Sequence, residues 1–334
     1  MGEYKGLQGH KIKALSSDPS PVFEGQVWFN TTDNVLRVRG AGAGSWSETG
    51  DLTNARGEAG VCGTKTAALA SGGQGSPGTP GGLVYSEEFN GTGWTEGNEM
   101  NDNRYGPANA GTQTAAVTFG GVGAGPPPST AFSPQSEEYD GTDYTEGNDL
   151  NTGRGDLGGC GTQTAGLAAG GWNSPPLAPR NETEEYNGAS WAEQNNLNTA
   201  RYYMPVVGTQ TAGLGAGGYV YSGSVNHNSS EEYNGASWAE GNNLNSARRQ
   251  PGGNGTQSNA VVCGGYVSAV SALAETYDGT SWSTANTLNT ARSYVPSSGC
   301  SAQQGLAVGG YVTAYVAVTE EFTIAAGTLD VTVS

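Results

Sequence analysis

The chain is 334 residues long, carries 31 acidic against 14 basic residues and has a formal net charge of −17. Without a concentrated basic patch it does not suit backbone-reading nucleic-acid binding. Its 56 glycines follow no G-X-Y period, which excludes collagen, and 35% hydrophobic residues argue against a disordered tract.

The opening MGEYKGLQGHKIKALSSD has no apolar core behind its basic residues and does not read as a secretory signal. No run of 18 apolar residues suits a membrane span, so membrane insertion is not expected. Residues 1–20 read as an N-terminal arm, 21–45 as a β-hairpin, and 46–334 as six repeats. Cys62, Cys160, Cys263 and Cys300 form no CxxC motif and read as free thiols of a reducing compartment. His10 and His227 supply little material for histidine-based metal or acid/base chemistry.

One unit returns six times. Its glycine doublet ends at Gly73, Gly121, Gly171, Gly218, Gly265 and Gly310, with spacings of 48, 50, 47, 47 and 45 residues. A large aromatic recurs in phase at Trp46, Trp94, Tyr144, Trp191, Trp238 and Trp282, and an arginine follows at Arg56, Arg104, Arg154, Arg201, Arg248 and Arg292. All these positions read as structural. In the fourth unit the turn signals predict strands near 201–207, 210–216 and 230–234 and around Trp238, with Asn234-Gly235 as the hairpin turn. Four antiparallel strands in about 47 residues match a propeller blade. An acidic pair such as Glu231-Glu232 precedes each third-strand aromatic except in the fifth unit, where AET stands in. One member of each pair is expected to bridge to the arginine, because adjacent strand residues point to opposite faces.

Chemistry-bearing patterns are scarce. A glycosidase needs paired carboxylates in a cleft, but Asp102, Asp149 and Asp156 read better as solvated turn residues near blade junctions. Calcium on the Asx-rich turn 101–103 lacks EF-hand spacing. The GxGxxG-like fragments lack the strand, helix and downstream acid that would give them meaning.

The order of doublet, third-strand aromatic and fourth-strand tryptophan resembles the kelch motif of kelch-repeat β-propellers. The wording LNTAR, GTQTA, GG and EEYNGASW resembles the repeats of tail and tail-fibre-associated virion proteins of bacteriophages, and residues 18–40 resemble a hairpin module common in such proteins. The resemblance implies an all-β kelch-type propeller. Six blades are favoured over seven, with the ring closed by N-terminal strands around Trp46. It implies a virion structural or adhesion protein, made in the host cytoplasm, with other virion proteins and host-surface glycans or proteins as partners. No catalytic residue, metal or cofactor is expected. The variable loops 74–86, 122–136, 172–183, 219–230, 266–274 and 311–319 then form the recognition face, with Trp172, Tyr221, His227 and Tyr315 as contacts. The alternative is a polysaccharide-degrading enzyme on the same scaffold.

Overall fold

A computed structural model describes residues 12–17, 27–41, 44–75, 82–123, 131–174, 178–221, 223–301, 304–324 and 326–331. His10 and the proline run 126–128 lie outside them. The chain divides into two compact units, Trp46–Thr323 and a smaller one made of Met1–Ser45 with Ile324–Ser334.

The smaller unit contains one four-stranded sheet. Lys13–Leu15 runs parallel to Val27–Asn30, which forms a hairpin with Val35–Ala41, and Ala326–Val331 pairs antiparallel to the latter. The hairpin turn is built by Asn30, whose Oδ1 accepts the backbone N–H groups of Thr32 at 2.9 Å and Asp33 at 3.0 Å. Such Asx bonding is the usual reason asparagine opens a turn.

The described residues of the larger unit form a succession of six four-stranded sheets, one per repeat, with three two-stranded sheets beside them. In the fourth, Val206–Thr209, Ala212–Ala216, Ser230–Tyr233 and Trp238–Glu240 lie in sequence order as antiparallel neighbours. The first strand starts five residues later than the turn signals suggest, because 201–205 form a corner containing Tyr203 at φ 56° and Pro205. The all-β architecture of small antiparallel sheets is therefore established.

The expected closed propeller is corrected. Among the described residues every large sheet stops at four strands, and no sheet is closed into a ring. Ser45–Glu48 is the fourth strand of the last sheet, beside Thr319–Thr323, and leaves that sheet open. The physical reason is that successive units meet face to face through side chains and loops instead of through a continuing backbone ladder. Phe119 of one unit packs on Trp191 of the next, for example, with ring centroids 4.7 Å apart.

Each unit uses its repeated letters in the same way. The aromatic of the fourth strand packs on that of the third: Trp46 on Phe322, Trp94 on Phe89, Tyr144 on Tyr139, Trp191 on Tyr186, Trp238 on Tyr233 and Trp282 on Tyr277. The centroid separations run from 4.6 to 5.1 Å. All twelve rings are buried. The second glycine of every doublet has φ between 92° and 108°, a conformation that L side chains avoid. At Gly217, the first of its doublet, a Cβ would also stand only 2.9 Å from the Arg248 carbonyl oxygen.

The arginines are fully buried and link neighbouring units. The Arg201 carbonyl accepts the Gly171 N–H at 3.0 Å from the preceding unit. Its Nη1 donates to the Gly217 carbonyl at 3.0 Å and its Nη2 to Glu231 Oε1 at 3.0 Å, both in its own unit. Equivalent ion pairs join Arg56 to Glu87, Arg104 to Glu137, Arg154 to Glu184, Arg248 to Glu275 and Arg292 to Glu320. The other glutamate of the acidic pair points the opposite way and accepts the phenol of the following unit: Tyr139 on Glu88, Tyr186 on Glu138, Tyr233 on Glu185 and Tyr277 on Glu232, at 2.5 to 2.9 Å.

Candidate active site

The residue two places after each buried arginine is Glu58, Gly106, Asp156, Tyr203, Gln250 or Tyr294. All six adopt positive φ, between 50° and 63°. For a non-glycine residue this conformation costs about 1–3 kcal/mol and persists only where the surroundings impose it. Backbone hydrogen bonds pass from one member to the next. Gly106 N–H donates to the Glu58 carbonyl at 2.8 Å, Asp156 to Gly106 at 2.8 Å, Tyr203 to Asp156 at 3.0 Å and Gln250 to Tyr203 at 2.9 Å. A scaffold repeated six times thus presents five residue types, tyrosine twice, to one place.

That place is a cavity of about 140 Å³ lined by all six residues. It adjoins a second cavity of about 100 Å³ between the inner strands, and the two share Val61, Asn109, Gly159, Val206, Gly253 and Ser297 in their walls. Asn109 is 5% exposed, and its Oδ1 has no hydrogen-bond partner among the described residues.

Glu58 and Asp156 are the acids of the cavity. Burial holds the Glu58 carboxyl well above the usual glutamate range, and the charge of Asp156 adds to the effect, while the Tyr315 hydroxyl at 3.0 Å opposes it. Asp156 is also raised by burial. It is drawn back toward ionisation by the indole N–H of Trp172, which donates to Oδ2 at 2.5 Å, and by a hydrogen bond from Tyr203. The two carboxyls titrate as a coupled pair, both held up by burial, and more of the opposing hydrogen-bond donation falls on Asp156 than on Glu58. Tyr105, Tyr203, Tyr294 and Tyr315 surround the two acids, and each has its phenol pushed upward by burial and by the carboxylates.

Of the residues singled out as contacts, Trp172 and Tyr315 converge on these carboxyls. Tyr315 also lies 2.6 Å from Gln74 Oε1. Tyr221 stands apart at 53% exposure. His227 is half-buried, with Nδ1 3.3 Å from Ser229 Oγ, and burial lowers its pKa. The solvated-turn reading of Asp156 is corrected, since only 7% of the residue is exposed. Asn101 of the Asx-rich turn gives its N–H to Glu137 Oε2 at 2.7 Å. Among the described residues no cluster of three or more His, Cys, Asp or Glu is placed to hold a metal ion.

Sequence reasoning passed over Glu58, Gly106, Tyr203, Gln250 and Tyr294. A signal was present in the one position at fixed distance from a repeated arginine where the residue type changes in nearly every unit.

No family model matches the sequence, and no curated protein matches it. The fold is shared with a solved structure described as "Structure of YjhT", at a TM-score of 0.69 and 12% identity, covering 85% of this chain and 100% of that one. At that identity the likeness establishes the fold.

The resemblance to bacteriophage tail and tail-fibre proteins is corrected by this match, because the shared fold is that of YjhT. Virion localisation, virion-protein and host-surface partners, and the structural or adhesive role rested on that resemblance and are withdrawn with it. The expectation of a non-enzymatic chain is corrected by the same match. The repeat letters describe a scaffold, whereas the Glu58–Asp156 pair lies at the position where the repeats diverge.

Proposed function

We propose that the chain is a carbohydrate-active enzyme that hydrolyses glycosidic bonds, with Glu58 as the proton donor and Asp156 as its carboxylate partner. The observation that carries this reading is the convergence, from units 98 residues apart in sequence, of two carboxyl groups whose surroundings separate their proton affinities. Pairs separated in this way divide into acid and base.

Glycoside hydrolysis needs such a pair. One carboxylic acid protonates the departing oxygen, and one carboxylate activates water or attacks the anomeric carbon. Glu58, desolvated and beside the Asp156 charge, holds its proton at the pH where Asp156 has lost its own. Tyr203, Gln250 and Tyr294 offer hydroxyl and amide groups suited to the many hydroxyls of a sugar, and aromatic rings at the cavity suit its apolar faces.

Incubating the full chain with a panel of polysaccharides and aryl glycosides, and measuring reducing-end or aryl-alcohol release, tests the proposal. Turnover by the wild-type protein that is lost in both Glu58→Gln and Asp156→Asn supports it. Absence of turnover across the panel, or turnover indifferent to both substitutions, rejects it.

A further inference from the structure

Asp156 is the better defined of the two acids, and two residues outside the acid pair define it. The Trp172 indole gives Asp156 Oδ2 its hydrogen bond at 2.5 Å. Its orientation is fixed on three sides. The backbone of Trp172 exchanges hydrogen bonds with Gly155, 3.0 Å in each direction, and the ring lies between Phe132 at 4.7 Å and Tyr202 at 5.7 Å. The other carboxylate oxygen depends on Gly106. This is the single member of the six-residue set without a side chain, and a Cβ there would overlap Asp156 Oδ1. The Gly106 backbone is itself held from both sides, donating to the Glu58 carbonyl and accepting from the Asp156 N–H, each at 2.8 Å. The sequence therefore leaves one place in the set vacant, and the neighbouring carboxylate occupies it.

We propose that Trp172 and Gly106 are positioning residues that hold Asp156 as the ionised partner of Glu58. Trp172 does so by donating to one oxygen, and Gly106 by leaving room for the other. The inference rests on the reading of Glu58 and Asp156 as an acid and base pair. Trp172 thereby changes from a contact for an external partner to an internal support. The titratable groups that face Asp156 are Glu58, Tyr105, Tyr202, Tyr203, Tyr294 and Tyr315. None of these carries a positive charge, so the anion is stabilised by hydrogen bonds, first from the Trp172 indole N–H and then from Tyr203.

The test is a carbon-13 NMR titration of the Asp156 carboxyl in the full chain labelled at aspartate. It compares the wild type with Trp172→Phe, which keeps a ring in the stack and removes the donor, and with Gly106→Ala. Asp156→Asn assigns the resonance. A hydrogen bond to the charged form favours ionisation, so Trp172→Phe should move the Asp156 midpoint upward by about one pH unit or more. With a hydrolysed substrate in hand, the acidic limb of the pH–rate profile should move upward with it while the alkaline limb stays. Gly106→Ala should lower kcat with little change in KM. An unmoved midpoint in Trp172→Phe overturns the positioning role, even where the wild type hydrolyses substrate. A shifted midpoint in a protein that hydrolyses nothing leaves the positioning role standing and removes the proposed activity instead.

Discussion

Arg201 and Glu231 form an ion pair at 3.0 Å in which neither side chain is more than 1% exposed. The same arginine accepts from the preceding unit through its backbone, so one residue anchors two sheets. Such a pair contributes little net stability over a well-packed apolar substitute, yet breaking it is costly because the remaining charge stays desolvated. Arg201→Ala should destabilise the fold by about 3–5 kcal/mol in equilibrium denaturation. A loss within the range of an exposed surface substitution would show that Glu231 finds another partner.

Tyr186 donates to Glu138 of the preceding unit at 2.5 Å. Where the equivalent residue is Phe89, with no hydroxyl, the corresponding Glu321 pairs with Lys65 at 3.4 Å. Where it is Phe322, the preceding unit has Thr276 in place of the second glutamate. Donor and acceptor are thus matched unit by unit. Tyr186→Phe should cost about 1 kcal/mol, reduced from the full value of a charged hydrogen bond by the partial exposure of Glu138. In a double-mutant cycle with Glu138→Gln the two losses should not add. Strict additivity would show that the contact contributes no coupling.

The raised carboxyls also make stability depend on pH. Glu58 binds its proton more tightly in the folded chain than in the unfolded one, where the ordinary value is 4.5. Its stabilising contribution is therefore complete below that value and is lost as the pH rises through the elevated folded pKa. The Glu58→Gln variant has no proton to lose. Its stability relative to wild type should improve steadily from the ordinary carboxylate range through neutrality, as measured by urea midpoints across pH. Parallel pH curves for the two proteins would show that Glu58 titrates normally.

The scaffold was legible in the sequence because it is written six times. Spacing alone located the doublets, the aromatic of the fourth strand and the buried arginine, and the NG and DG dipeptides marked the hairpin turns. The site was not legible, for the same reason. Repetition draws attention to what stays constant, whereas Glu58, Asp156, Tyr203, Gln250 and Tyr294 occupy the corner where identity changes. Their convergence depends on side chains from units about fifty residues apart meeting at one cavity, which no local pattern reports. In sequence Asp156 reads as a solvated turn residue near a blade junction, as Asp102 and Asp149 do. Only the buried surroundings, with Trp172 on one oxygen and the vacancy at Gly106 beside the other, separate it from Asp102 and Asp149. The virion reading failed differently, since shared wording in a repeat reflects a shared scaffold and carries no information about where the protein works.

The assignment of Glu58 as proton donor is tested most directly by the dependence of kcat/KM on leaving-group acidity in wild type and Glu58→Gln. The measurement uses aryl glycosides of the sugar that the panel identifies. A general acid assists the departure of a poor leaving group and adds little for a good one. The predicted result is a loss of two or more orders of magnitude, roughly the size of general-acid assistance, for alkyl or weakly acidic phenyl glycosides, with near wild-type rates for dinitrophenyl glycosides. Equal loss across the series, or no loss at all, would contradict the assignment of Glu58 and with it the proposed active site.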